Sequence, residues 1–250
     1  MNDPLIVISN GMAKSGSTLL FEYTRMLVEH QFPDNGQGAI CRALSSGRLK
    51  GWAYGPVGTG AFLDKIGERD VDIISEIALS EGPVVIKGHF DTNPLLVEAV
   101  QNGRVRMTYT HRDPRDVLLS AMDYCIRSRN SAMPAMQQFT SVPDSIIPAR
   151  WEAKRACNWV SSGLAHIILY TDLISTPARE LARLADYLGI PAGSALLDAV
   201  IEKERAERAV GRNQFNRGEL HRYSKEMSPE DQALVNRELG DIITKLGYRI

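Results

Sequence analysis

Cysteine is scarce in this 250-residue chain, and the three present, Cys41, Cys125 and Cys157, stand far apart with no metal-binding or redox spacing. They read as ordinary buried or half-buried thiols suited to a reducing cytoplasm. Charge of one sign is missing as well. Lys plus Arg number 29 against 30 Asp plus Glu, so the molecule has no overall field to draw nucleic acid. Any anion site has to be built from locally placed cations. No apolar run approaches membrane-spanning length, which argues against a membrane partner. Met1-Asn2-Asp3-Pro4 lacks a basic leader and runs straight into a strand, so no signal peptide is expected. Low-complexity linkers, charge runs and internal repeats are absent too, and a single domain over residues 1–250 is the expectation.

What is present begins with Gly11-Met12-Ala13-Lys14-Ser15-Gly16-Ser17-Thr18, directly behind the apolar run Leu5-Ile6-Val7-Ile8. A strand that feeds a glycine-containing turn and then a helix points backbone N–H groups and the positive end of a helix dipole at an anion. The glycines have P-loop spacing, and Ser17-Thr18 sit where such a loop carries its hydroxyls. A Walker A loop, however, places its lysine after the second glycine. Here that slot is Ser17, and the lysine stands upstream at Lys14. The loop suits a phosphate-like group better than a metal-bound triphosphate.

Short apolar runs alternate with longer helical stretches, the pattern of a mainly parallel sheet between helices. Strands are predicted at Leu5–Ser9, Pro83–Lys87, Arg104–Thr110 and His166–Tyr170, with helices over Thr18–Glu29, Pro94–Gln101, Pro114–Arg127, Trp151–Ser161, Pro177–Leu188 and Pro229–Leu246. Asp113 reads as the N-cap of the third helix, with Pro114 at its first position and Asp116 at its third. Residues 31–60, rich in glycine with Trp52 and Tyr54, and residues 128–150, with three prolines, resist regular assignment. Long irregular segments in a compact domain are commonly functional, so both are read as substrate or lid loops.

A second segment, Thr110-His111-Arg112-Asp113-Pro114-Arg115-Asp116 with Ser120 beyond it, gives the displaced lysine a meaning. Together the two segments resemble the sulfotransferases that use 3′-phosphoadenosine 5′-phosphosulfate (PAPS). The resemblance implies a three-layer α/β/α fold with a central, mainly parallel sheet, related to the P-loop nucleotide kinases. It implies that Lys14, Ser15, Gly16, Ser17 and Thr18 hold the 5′-phosphosulfate, and that Arg112 and Ser120 hold the 3′-phosphate. Lys87-Gly88-His89-Phe90 resembles the family's Lys-Thr-His element, which makes His89 the general base and Lys87 a second cation at the transferring group. Tyr170, in a segment that resembles Tyr-Glu-Asp-Leu, then approaches the adenine, although the aromatic residue after the family's phosphate loop is Leu19 here. Asn216, Arg217 and Gly218 match the family's Arg-Lys-Gly loop in weakened form, with His221 in place of its second glycine. Arg115, at a variable position of the motif, is expected to be a surface charge, and His111 to serve packing or local hydrogen bonding.

The resemblance implies an enzyme that moves the sulfuryl group of PAPS to a hydroxyl, or less often an amine, of a small-molecule acceptor. It leaves adenosine 3′,5′-bisphosphate (PAP) and needs no metal. The glycine spacing with Ser17-Thr18 keeps a P-loop kinase or NTPase in view as an alternative, and a non-catalytic nucleotide-binding module of the same fold is the other.

Overall fold

The structure, a computed structural model, describes residues 5–54, 60–63, 65–127, 137–209 and 218–250. Its centre is a six-stranded sheet built from β1 (Ile6–Gly11), β2 (Gly51–Tyr54), β3 (Gly60–Leu63), β4 (Val84–Gly88), β5 (Arg106–His111) and β6 (His166–Leu169), in the order β2-β3-β4-β1-β5-β6. Only the β2–β3 pair is antiparallel. In register, Ile8 of β1 lies between Ile86 of β4 and Met107 of β5.

Alternation along these strands sorts side chains to two faces, as the two-residue period of a strand requires. Ile6, Ile8, Val84, Ile86, Met107 and Tyr109 enter one core with Ile40, Ile74 and Trp159. Val7, Val85 and Ile168 enter the opposite core with Leu20, Leu27, Leu184 and Ile201. The helices that supply the first core include α2 (Gln37–Ser45), α3 (Glu68–Glu81) and α6 (Val142–Ser162). Those of the second are α1 (Ser17–Gln31), α8 (Pro177–Leu188) and α9 (Ser194–Ala209). The expected three-layer fold with a mainly parallel sheet is the fold found. The remaining helices are α4 (Pro94–Gln101), α5 (Pro114–Arg127), α7 (Tyr170–Ser175), α10 (Tyr223–Glu226) and α11 (Pro229–Lys245).

Two sequence expectations need correction. Residues 31–60 hold α2 and β2: Ile40, Ala43 and Leu44 bury one side of a short helix, and Trp52 to Tyr54 form the edge strand against β3. Nine residues with a narrow apolar side give too little periodicity to register in a glycine-rich stretch. The segment 128–150 likewise ends in helix, because α6 starts at Val142, not Trp151. Ser141 caps it by accepting the Asp144 amide, Pro143 falls in the first turn where no N–H is needed, and Pro148 is carried inside the helix. Two of the three prolines taken as breaks are therefore helical. Smaller differences are the helices α3, α9 and α10, which were not anticipated, and Tyr170, which begins α7 and does not end β6.

The chain visits β4 on one side of β1 and then crosses to β5 on the other. Ligands of open α/β sheets settle at such a reversal, outside the carboxyl ends of the strands. The ends of β1, β4 and β5 carry Lys14, Lys87 with His89, and Arg112.

Candidate active site

The loop after β1 is tied to β5. The Met12 amide donates to the Thr110 carbonyl at 2.9 Å, one step beyond the strand. Ser15 Oγ donates to the carbonyls of Met12 (2.6 Å) and Thr110 (2.9 Å), and Thr110 Oγ1 donates back to the Ser15 carbonyl at 3.1 Å. Ser15 is fully buried, so its hydroxyl proton is spent inside the loop. The side chain thus shapes the turn.

Two left-handed residues follow. Lys14 has φ 64° and Gly16 φ 81°. At Gly16 a side chain is excluded twice, by that φ and by the Tyr170 ring, which would stand 2.7 Å from a Cβ. The reversal delivers α1 with Ser17 and Thr18 at its open end, where the first amides have no partner within the helix.

The side chains converge from three strands. Lys87 Nζ donates to Thr18 Oγ1 at 2.6 Å. Lys14 Nζ lies 4.5 Å from the centre of the Tyr124 ring on α5, within cation–π range. Burial lowers the pKa of both lysines to about 8; Arg127 adds to the effect at Lys14, and at Lys87 the pull of Glu22 only partly opposes it. His89 Nδ1 is 2.6 Å from the Gly11 carbonyl. A carbonyl only accepts, so Nδ1 carries the proton and Nε2 of the neutral ring has a free lone pair. Burial, reinforced by Lys87, pushes the His89 pKa down to about 3, which keeps the ring neutral at physiological pH.

Arg112, at the end of β5, is buried with its plane 4.4 Å from the centre of the Tyr170 ring. Its Nη2 donates to Asp116 Oδ2 at 3.0 Å and to the Glu219 carbonyl at 2.6 Å. Its Nε is buried with no partner among the described residues. An orphaned guanidinium donor beside an open helix end fits an anionic ligand. Ser120 is buried two helical turns further along α5 and four residues before Tyr124, on the same side of the helix.

Asp116 does more than close a helix end. Its carboxylate also accepts the amides of His221 (3.0 Å) and Tyr223 (3.1 Å), which fastens residues 219–223 beside Arg112. Gly218, with φ 71°, adjoins this segment, whereas Asn216 and Arg217 lie outside the described residues. His221 occupies the place of a family glycine with φ 56°. Tyr170, placed at the adenine by the resemblance, has its ring between Gly16 and Arg112 and forms a floor under both. Arg115 is not a surface charge. It is buried, accompanies Asp113 at 2.7 Å and lies 3.8 Å from the centre of the Tyr223 ring. Asp113 also accepts the Arg115 amide, as an N-cap does. His111 is buried against Tyr248, with its Nδ1 3.0 Å from the Tyr248 hydroxyl.

A family profile described as the sulfotransferase domain matches residues 3–237. The chain belongs to the sulfotransferase family. Among solved structures, this sulfotransferase is similar to retinol dehydratase in complex with androsterone and the inactive cofactor PAP, with 15% identity and a TM-score of 0.58 over 100% of this chain and 84% of that one. It is also similar to a mouse sulfotransferase complexed with PAP, with 12% identity and a TM-score of 0.58 over 98% and 87% of the two chains. At such identities the likeness is one of fold. A search among curated proteins finds no match. Among the described residues of the sulfotransferase, no helix is long and apolar enough to cross a membrane.

Trp52, in the stretch read as a substrate or lid loop, stacks on Phe62 at 4.2 Å between ring centres, and Phe62, which sequence reading missed, tilts against the His89 ring at 5.6 Å. Tyr124 under Lys14 had no signal beyond its position one turn after Ser120. Glu152 and Arg155 of α6 had none at all.

Proposed function

We propose that this sulfotransferase moves the sulfuryl group of PAPS to a hydroxyl of a small planar acceptor, with His89 as general base and without a metal ion. The observation that carries the reading is the His89 hydrogen bond to Gly11, which leaves Nε2 as an unprotonated acceptor at the end of β4, between Lys87 and the Lys14 loop. PAPS supplies an activated sulfur whose bond to the bridging phosphate oxygen breaks as the acceptor oxygen attacks. The open end of α1, with the Ser17 and Thr18 groups, binds the 5′-phosphate. Lys14 and Lys87 stand ready to meet charge that develops on the bridging oxygen, and a cation placed there favours the transition state over the ground state. His89 Nε2 takes the acceptor proton. Arg112, with its unused Nε, and Ser120 bind the 3′-phosphate. The resemblance assigns Asn216, Arg217 and Gly218 to that phosphate as well, and Tyr170 supports the adenine side.

The acceptor reading rests on aromatic rings. Trp52 is 40% exposed, and with Phe62 it forms a row that ends at the His89 ring. A flat apolar acceptor can stack there and present its hydroxyl to Nε2. Cys41, Cys125 and Cys157 form no disulfide, which supports placement in a reducing compartment such as the cytoplasm.

The test is a screen of hydroxylated aromatic, alicyclic and amine compounds with PAPS in the presence of a strong chelator, with PAP formation and a sulfated product as joint readouts. Sulfation of phenolic or fused-ring alcohols with little loss to the chelator is expected. A strict requirement for Mg²⁺, or phosphorylated product from ATP, would return the chain to the kinase reading.

A further inference from the structure

One side of α6 grips both walls of the site. Glu152, Arg155, Asn158 and Trp159 recur at three- and four-residue steps and therefore share a side of the helix. Glu152 Oε2 accepts the amide of Ala13 at 2.9 Å, immediately ahead of left-handed Lys14. Its other oxygen pairs with Arg155 Nη2. Arg155 Nη1 donates to the carbonyl of His89 at 2.6 Å. The same side of the helix then holds the next two residues of the turn: Trp159 Nε1 donates to the Phe90 carbonyl at 2.8 Å, and Asn158 Nδ2 donates to Asp91 Oδ1 at 2.9 Å. From β1, Asn10 clasps the main chain of Phe90 in both directions, at 3.0 Å each way. The turn at 89–91 is thus fixed from two directions.

The geometry points to Glu152 and Arg155 as positioning residues, an ion-paired bridge on α6 that sets the Lys14 loop and the His89 ring in one register. The inference rests on the roles given above to Lys14 and His89. Three features carry it. The bridge reaches 139 residues back to Ala13 and 66 back to His89, joining two loops that come from different strands. Both outward bonds go to main-chain groups, so they set backbone position and leave the reacting side chains free. Both are charge-assisted, and Glu152 and Arg155 are largely shielded, with side chains 12% and 28% exposed, so solvent competes weakly. The bond from His89 to the Gly11 carbonyl depends on where its own backbone is held, Arg155 being the side chain that grips the His89 carbonyl itself, and a misplacement of about 1 Å at a reacting group can cost about a hundredfold in rate.

The experiment uses the full chain labelled with ¹⁵N-histidine and saturated with PAP, with the His89 signal assigned by its loss in His89→Ala. In the wild type, His89 should show one tautomer, protonated at Nδ1 with a slowly exchanging proton. Arg155→Met should mix the tautomers and speed that exchange by about tenfold or more. The four other histidines and PAP affinity should stay nearly unchanged. Arg155→Lys, which still donates to the His89 carbonyl, should restore the wild-type signature. Glu152→Gln, which keeps an acceptor for Ala13 but loses the ion pair, should fall between the two; these two variants decide the matter if Arg155→Met does not fold. With an acceptor from the screen, kcat of Arg155→Met should fall about 10- to 100-fold at a steady donor KM, with no further loss in a His89→Ala background. An unchanged His89 signature in Arg155→Met, or changes spread over all five histidines with PAP binding lost, would overturn the bridge. Failure of the general-base reading shows differently, as a His89→Ala enzyme that still turns over, and leaves the spectroscopic result standing.

Discussion

The two ends of the donor site treat positive charge in opposite ways. Where β1 and β4 end, burial outweighs every neighbouring carboxylate at Lys14 and Lys87, and both cations are held less firmly than in water. Where β5 ends, every buried arginine has its own carboxylate: Arg112 with Asp116, Arg115 with Asp113, and Arg222 with Asp123 and Glu226. A desolvated cation without a close counter-ion gains most when a ligand brings negative charge to it. A paired arginine is already compensated, and what it offers is shape: a fixed plane and, at Arg112, one spare donor. On the proposed reading, the first end would meet charge that develops during reaction, the second charge that is present throughout.

That contrast predicts a graded set of responses. The largest lies at the reactive end: His89→Ala should lower sulfation by about two to four orders of magnitude while calorimetry shows PAP affinity nearly intact. Comparable losses of turnover and affinity would erase the distinction between the two ends.

Next is the shape-giving end. Arg112→Ala should weaken PAP by roughly 1.5–3 kcal/mol and adenosine 5′-monophosphate far less, with a smaller selective loss for Ser120→Ala. Asp116 keeps the amides of His221 and Tyr223 in these variants, so the segment over the site has a remaining anchor. Equal losses for both nucleotides would mean that the damage is structural.

The pH profile separates the ends without mutation. kcat/KM reports the free enzyme, in which Lys14 and Lys87 are cations below about 8 and lose their protons as pH rises through that value. Activity should therefore fall on the alkaline side by up to about tenfold per pH unit for each lysine that must be charged. As the proposed base His89 would act unprotonated, a form present at every pH above about 3, so no acidic limb should appear near its ordinary value of about 6.5. A limb there would mean a solvated, unremarkable histidine.

The smallest effect is expected at His221. Its φ of 56° costs about 1 kcal/mol that glycine would not incur, partly offset by the greater freedom of glycine in the unfolded chain. His221→Gly should be as stable as the wild type or slightly more so in denaturant titration. Gly16→Ala, at φ 81° and against the Tyr170 ring, should be clearly destabilised. If both glycine-type positions respond alike, the segment at 218–223 is as tightly held as the phosphate loop.

Legibility followed the same division. The loop at 11–18, the run from Lys87 to His89 and the run from Arg112 to Ser120 could each be read because a strand end, a turn and a helix start are contiguous in sequence. The readings that changed depend on distant partners or on helix context. The part that Ser15 plays in its turn depends on the carbonyl of Thr110, 95 residues away. Arg115 reads as a surface charge in the sequence because nothing local announces that the Arg249 carbonyl and the Tyr223 ring enclose it. Pro143 and Pro148 obscured the start of α6, since a proline signals an interruption except in a first turn or where packing carries the helix past it.

The sequence by itself determined the two-faced strands and the order of the three strand-end motifs, because these rest on side-chain period and local turn chemistry. Only the tertiary structure decided which cations are compensated and which are not. It also decided which nitrogen of His89 carries the proton, and that α6 joins the lysine loop to the histidine turn. Those properties come from burial and from hydrogen bonds between groups 66 to 139 residues apart, including the 78 between His89 and Gly11, which no local pattern encodes.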